Sequence, residues 1–127
     1  MIIHFQDIIE KIIFSQYIII RIRRFIVDNL NILFSNIKAD KFFTGLCVKD
    51  FAVKSASLLS DMNMIHPFRE GNGRAIREYY RCLAIKSGYI IDWSLVDKDE
   101  LLNAFIYSVD KDTSRLIHCV YTVIENK

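Results

Sequence analysis

Only four glycines and one proline interrupt this chain of 127 residues, and three of these five breakers, Pro67, Gly71 and Gly73, fall within one short stretch. A sequence so poor in residues that turn or stop the backbone folds into long helices with few turns. Its one dense cluster of breakers marks where regular structure must yield.

The periodicity along the rest of the chain is helical, without convincing two-residue alternation. A first helix is expected from about Ser15 to Ile37, with Ile18, Ile22, Phe25, Ile26, Leu30 and Leu33 on one face and Arg21, Arg24, Asp28 and Asn31 on the other. After Gly45 a second helix carries a core stripe of Phe51, Ala52, Ser55, Leu58, Leu59, Met62 and Ile65. It must stop near Ile65, because Pro67 drives the residue before it out of the α region. A third opens at Asn72 or Gly73 and closes after Lys86, at Ser87-Gly88. Asp97 and Glu100 have capping-box spacing, and Leu101, Leu102, Phe105, Ile106 and Val109 follow as an apolar face. A last helix carries Leu116, Ile117, Val120, Tyr121 and Ile124. The stretch Ile8 to Phe14 is open to two readings, an extended strand or the first turns of the long helix, and an extended or irregular start is slightly favoured. The expected fold is a compact all-α single domain over residues 1–127, without repeat, low-complexity tract or linker.

Apolar residues make up 52% and charged residues 25%, a composition that buries a core without disulfides or a structural metal. A net charge of +2 gives no general pull toward nucleic acid or membrane, so function has to lie in a local site. Ile20-Arg21-Ile22-Arg23-Arg24 reads as a solvated helix face, having no aromatic platform beside it. Cys47, Cys82 and Cys119 lack metal or redox spacing and read as buried free thiols. His4 and His118 have no ligand partners at metal spacing. No basic leader or cleavage site stands at the N-terminus, and the apolar run Ile12 to Ile20 is too short to span a bilayer, so a cytoplasmic location is expected.

The breaker cluster is His66-Pro67-Phe68-Arg69-Glu70-Gly71-Asn72-Gly73-Arg74-Ala75-Ile76-Arg77. A helix ends, a loop presents an imidazole and a carboxylate, and two glycines flank an Asn where the next helix begins. Backbone N–H groups at a helix N-terminus attract an anion, and glycine lets a phosphate approach the backbone. Arg74 and Arg77 are three apart, on one helix face, and suit phosphate oxygens. Glu70 offers the hard oxygen that Mg²⁺ takes when phosphates already hold it. His66 is a base of suitable pKa. Singly, each residue has an ordinary reading as a turn, a surface residue or a solvated face. Together, in this order, they are the parts that phosphoryl-type transfer needs.

This segment is similar to the signature of the Fic (filamentation induced by cAMP) family, H-x-F-x-[D/E]-G-N-G-R-x-x-R, at every specified position. The similarity continues through Glu78 to Tyr89 and to Asp92-Trp93-Ser94, which resembles the linker after the motif. Trp93 reads as a packing anchor there. The resemblance implies a protein adenylyltransferase that moves AMP from ATP, with Mg²⁺, to a Ser, Thr or Tyr hydroxyl of a target protein. It implies that His66 takes the hydroxyl proton and Phe68 anchors the loop in the core. Glu70 would hold Mg²⁺; Gly71, Asn72 and Gly73 would form the anion hole; Arg74 and Arg77 would bind the outer phosphates. The same signature is compatible with removal of AMP or transfer of another nucleotide or phospho-group. A catalytically silent, truncated core that binds nucleotide or a partner is the alternative from a different class.

Two departures from the family pattern bear on function. The β-hairpin flap with which family members pair targets is expected to be short or missing, since only Ile8 to Tyr17 could represent it, with Lys11 and Phe14 resembling its end. The inhibitory pattern [S/T]-x-x-x-E-[G/N] is matched only at Glu125-Asn126, with Tyr121 at the hydroxyl position. Glu125 is therefore not expected to reach Arg77, and a separate small antitoxin-like protein is the expected inhibitor. No nucleic-acid or membrane partner is expected, and the sequence leaves a homo-oligomer open.

Overall fold

A computed structural model describes residues 5–65 and 72–127, with side chains described for Gln16, Arg21, residues 23–65 and residues 73–127. Among the described residues five α-helices follow in order: α1 (Phe5–Ala39), α2 (Val48–Ile65), α3 (Asn72–Lys86), α4 (Lys98–Val109) and α5 (Ser114–Val123). The all-α expectation holds among the described residues. No helix among them is long and apolar enough to cross a membrane.

The helix starts and stops follow the local chemistry. α2 ends at Ile65, two residues before Pro67. α3 closes on Gly88 at φ +89°, where the Gly88 N–H bonds Ile85 O (3.0 Å) and the Tyr89 N–H bonds Ala84 O (2.9 Å). That pair of bonds is a Schellman cap, and glycine adopts its left-handed backbone without a Cβ penalty. Asp97 caps α4, its carboxylate accepting the N–H groups of Asp99 and Glu100, each at 3.1 Å. Only that half of the capping box forms among the described contacts; the Glu100 carboxylate lies 3.9 Å from the exposed His118 imidazole instead.

The start of the chain corrects the sequence reading. α1 begins at Phe5, so the stretch expected to be extended is helix, and the residues expected to stand for a flap lie inside it. At 35 residues α1 is about 50 Å long against roughly 27 Å for α2. Its described part enters the core only near its end, through Ile37. Phe25, expected inside, is 60% exposed.

The core gathers around α2, whose Phe51, Ala56 and Leu59 are fully buried. α5 packs on it with Leu116, Cys119, Val120 and Val123, and α3 with Ile76, Tyr80, Leu83 and Ala84. Phe51 sits among the rings of Phe43, Tyr80 and Tyr89, with centroids 4.4 to 6.3 Å away. All three cysteines are free, but only Cys119 is buried; Cys47 and Cys82 are exposed, against expectation. The segment between α3 and α4 is tied to the chain after α5. Ile91 bridges Ile124, the Asp92 N–H bonds Val123 O (2.9 Å) and the Glu125 N–H bonds Ile90 O (2.8 Å). The Asn126 amide completes the seam, donating to Gly88 O (2.9 Å) and accepting from the Ile90 N–H (2.8 Å).

Candidate active site

The site is built where α2 stops and α3 starts. His66, Phe68, Glu70 and Gly71 lie outside the described residues. Asn72 is the first residue of α3, and Gly73, Arg74 and Arg77 stand on its first turns. The backbone N–H groups of a helix's first turn have no partner within the helix and concentrate its positive end. Arg74 is exposed and Arg77 half-buried, and no described carboxylate forms an ion pair with either.

Gly73 and Arg77 are one turn apart, and the Arg77 guanidinium folds back over Gly73. The cation thus lies over the opening turn of α3 and adds to the field of the N–H groups there. The structure accordingly brings Asn72, Gly73, Arg74 and Arg77 to one helix end.

From that end an open cavity of about 660 Å³ runs between α3 and α4. Gly73, Ile76 and Arg77 line its α3 side, Leu102, Phe105, Ile106 and Val109 its α4 side, and Trp93, Ser94 and Val96 its back. Asn63 on α2 also lines it, and Lys98 adds a second cation. The volume falls within the range of ordinary small-molecule sites. Among the described residues its charged groups are all basic and its broad wall is apolar. Such a groove suits an elongated ligand with a flat or apolar body and an anionic tail.

The α4 face refines the sequence reading. Leu101 is buried and Phe105 half-buried, but Leu102, Ile106 and Val109 are 59%, 56% and 50% exposed, because they face the groove and not the core. The signal was present in the sequence. The adjacent pairs Leu101-Leu102 and Phe105-Ile106 make a stripe wider than a single packing seam requires.

Trp93 has a larger structural part than the sequence reading gave it. It opens a short 3₁₀ turn, Trp93–Leu95, and packs against Tyr80 with ring centroids 5.8 Å apart. Its indole Nε1–H donates to the main-chain carbonyl of Arg77 at 3.1 Å. It is a packing anchor, as expected, and also a wall of the groove.

Glu125 is not among the described residues that line the groove. It is exposed just beyond α5, its N–H is bonded to Ile90 O, and its carboxylate makes no described ion pair with Arg77. The helix before it is a core helix, as expected.

Comparison with known proteins agrees with this architecture. A model of the Fic/DOC family matches residues 24–83. The chain is 39% identical over 69 residues to the protein adenylyltransferase VbhT of Bartonella schoenbuchensis, a match covering 54% of this chain and 14% of that protein. It is 34% identical over 93 residues to a Sinorhizobium fredii protein named Probable protein adenylyltransferase y4lH, covering 72% and 48% respectively. Among solved structures, the N-terminal Fic domain of a VirB-translocated Bep effector protein of Bartonella quintana with bound ADP superposes with a TM-score of 0.76 at 28% identity. That match covers 79% of this chain and 47% of the other. The BepC protein of Bartonella tribocorum with bound AMPPNP shares the fold at a TM-score of 0.76 and 24% identity, over 80% of this chain and 49% of that one. The chain spans less than half the length of each of these four proteins. The family model over residues 24–83, the relatives named protein adenylyltransferases and the Fic-domain structures with the same helical core agree, and all of them support a Fic family protein.

Proposed function

We propose that this domain transfers AMP from ATP to a Ser, Thr or Tyr hydroxyl of a target protein. The observation that carries the reading is the Arg77 guanidinium lying over the opening turn of α3, at the mouth of an apolar groove sized for a small ligand. The adenosine part of ATP would enter the groove against Leu102, Phe105 and Ile106, and the phosphates would meet the α3 N-terminus and Arg77. The relatives bear the name protein adenylyltransferase, and neighbouring structures hold AMPPNP or ADP.

In this reading the target hydroxyl oxygen attacks the α-phosphorus as the bond to the β-phosphate oxygen breaks. His66 takes the hydroxyl proton, and pyrophosphate leaves with its charge held by Arg74 and Arg77. The N–H groups of Gly71, Asn72 and Gly73 serve the α-phosphate, and Phe68 anchors their loop. Glu70, two residues before the helix end that would receive the phosphates, would offer the hard oxygen that Mg²⁺ takes when phosphates hold it as well. When bound, the ion would neutralise phosphate charge in the transition state. Inhibition would come from a separate small protein that supplies a carboxylate to Arg77.

A second reading, a silent nucleotide- or partner-binding core, draws on one observation: residues 8–17, where a flap was sought, are helical and offer no strand for a target segment to pair with. Incubation with α-labelled ATP and Mg²⁺, alone and with lysate, separates the two. Label on protein that is lost in His66→Ala, with ATP affinity retained, supports transfer. ATP binding without label supports the silent core, and equal loss of ATP binding in His66→Ala contradicts the role given to the imidazole.

A further inference from the structure

The carbonyl of Arg77 lies inside α3, where the helical ladder already gives it the N–H of residue 81. It nevertheless accepts a second hydrogen bond, from the Trp93 indole at 3.1 Å. A carbonyl has two lone pairs, so both bonds coexist where the carbonyl faces a donor outside the helix. The donor here stands on a braced segment. The Asp92 N–H is bonded to Val123 O at 2.9 Å, and the Asp92 carboxylate accepts the Ser94 N–H at 3.0 Å and the Ser94 hydroxyl at 2.6 Å. The indole packs at a tilt of 59° against the ring of Tyr80, which is fully buried.

Trp93 and Arg77 also line the same groove. An arginine has four side-chain torsions, so its guanidinium is placed only as well as its own backbone is fixed and its path is confined. Gly73 opens that path; the indole bond fixes the backbone.

We infer that Trp93 is a positioning residue: through its N–H it sets Arg77, and thereby the cation that meets the outer phosphates of the substrate. The inference rests on the nucleotide reading above. It separates Trp93 from a groove wall that serves only the apolar body of the ligand, because its effect should follow the phosphates.

The test is a double-mutant cycle with Trp93→Phe, which keeps a ring and removes the donor, and Arg77→Ala. Calorimetry with ATP, adenosine and tripolyphosphate gives the affinities. Trp93→Phe should weaken ATP and tripolyphosphate about three- to tenfold, the scale of one hydrogen bond, and leave adenosine unchanged. Added to Arg77→Ala it should cost nothing further. Equal weakening of adenosine and ATP, or independent losses in the double variant, would reduce Trp93 to a wall. If the parent binds ATP and Trp93→Phe does not change that affinity, the positioning role is overturned while the nucleotide reading stands. If the parent binds neither ATP nor tripolyphosphate, the nucleotide reading fails and takes this role with it. Trp93 is the single tryptophan, so its emission gives a measurement free of any folding defect in the variant. Tripolyphosphate should change that emission in the parent and not in Arg77→Ala; binding seen by calorimetry with emission unmoved would overturn the coupling.

Discussion

A Cβ on Gly73 would stand 3.0 Å from Nη1 of Arg77, tighter than nine in ten real contacts of that kind. The pair explains why glycine serves at this position although its backbone is ordinary helix. What the missing side chain provides is room for the guanidinium to lie over the helix end. The obstructing atom is the tip of a flexible side chain, so a methyl group there would shift the cation by a few tenths of an ångström and leave the fold intact.

Gly73→Ala therefore separates stability from binding. Alanine is the better helix former, so the melting temperature should hold or rise. ATP affinity should fall by about tenfold, a loss of roughly 1.4 kcal/mol, as Arg77 is pushed off the phosphates. Thermal melting and calorimetry on the same sample check both halves. A fall in melting temperature with unchanged affinity would contradict the arrangement.

Glu125→Gly addresses regulation. The Glu125 N–H, bonded to Ile90 O, survives the substitution, and the carboxylate it removes makes no described ion pair with Arg77. ATP affinity and self-labelling should stay within error of the parent. A large gain in labelling would place this chain among self-inhibited members of the family.

The segment that carries Trp93 should respond to acid. Hydrogen bonds from the Ser94 hydroxyl and N–H hold the Asp92 carboxyl below its ordinary 3.8. A carboxyl lowered in the folded state contributes stability above its unfolded pKa, and that contribution is lost as pH falls through the folded value. Ser94→Ala removes one donor, so it should lower the melting temperature at neutral pH, and the difference from the parent should vanish below the usual aspartate range. Melting curves between neutral pH and about pH 2 test this, and a difference that persists at the acid end would point to another cause.

Much of this fold was legible because breakers are scarce and each acts locally. Pro67, Gly88 and Asp97 mark helix ends through backbone sterics and one or two hydrogen bonds, and the ends fall beside them. The motif was legible for the same reason: its residues are contiguous and take their meaning from one helix start. The start of α1 was not, because Ile8, Ile9, Ile12 and Ile13 favour strands as β-branched residues, and no capping or breaking residue contradicts either form. The exposure of Cys47 and Cys82, and the division of the α4 face between core and groove, depend on which helix packs where. The Trp93–Arg77 bond spans sixteen residues and involves a backbone carbonyl, which carries no side-chain identity for a sequence to display.

The seam between residues 88–92 and 123–126 has a consequence for the order of assembly. Synthesis delivers the motif well before it delivers Val123 and Asn126, and those late residues bond the stretch on which Trp93 stands. A nascent chain emerging from the ribosome would expose His66, Arg74 and Arg77 while the back of the groove still lacked its brace. The brace of the proposed site thus follows its motif in the order of synthesis, and the groups proposed to react precede the residues that would hold their frame.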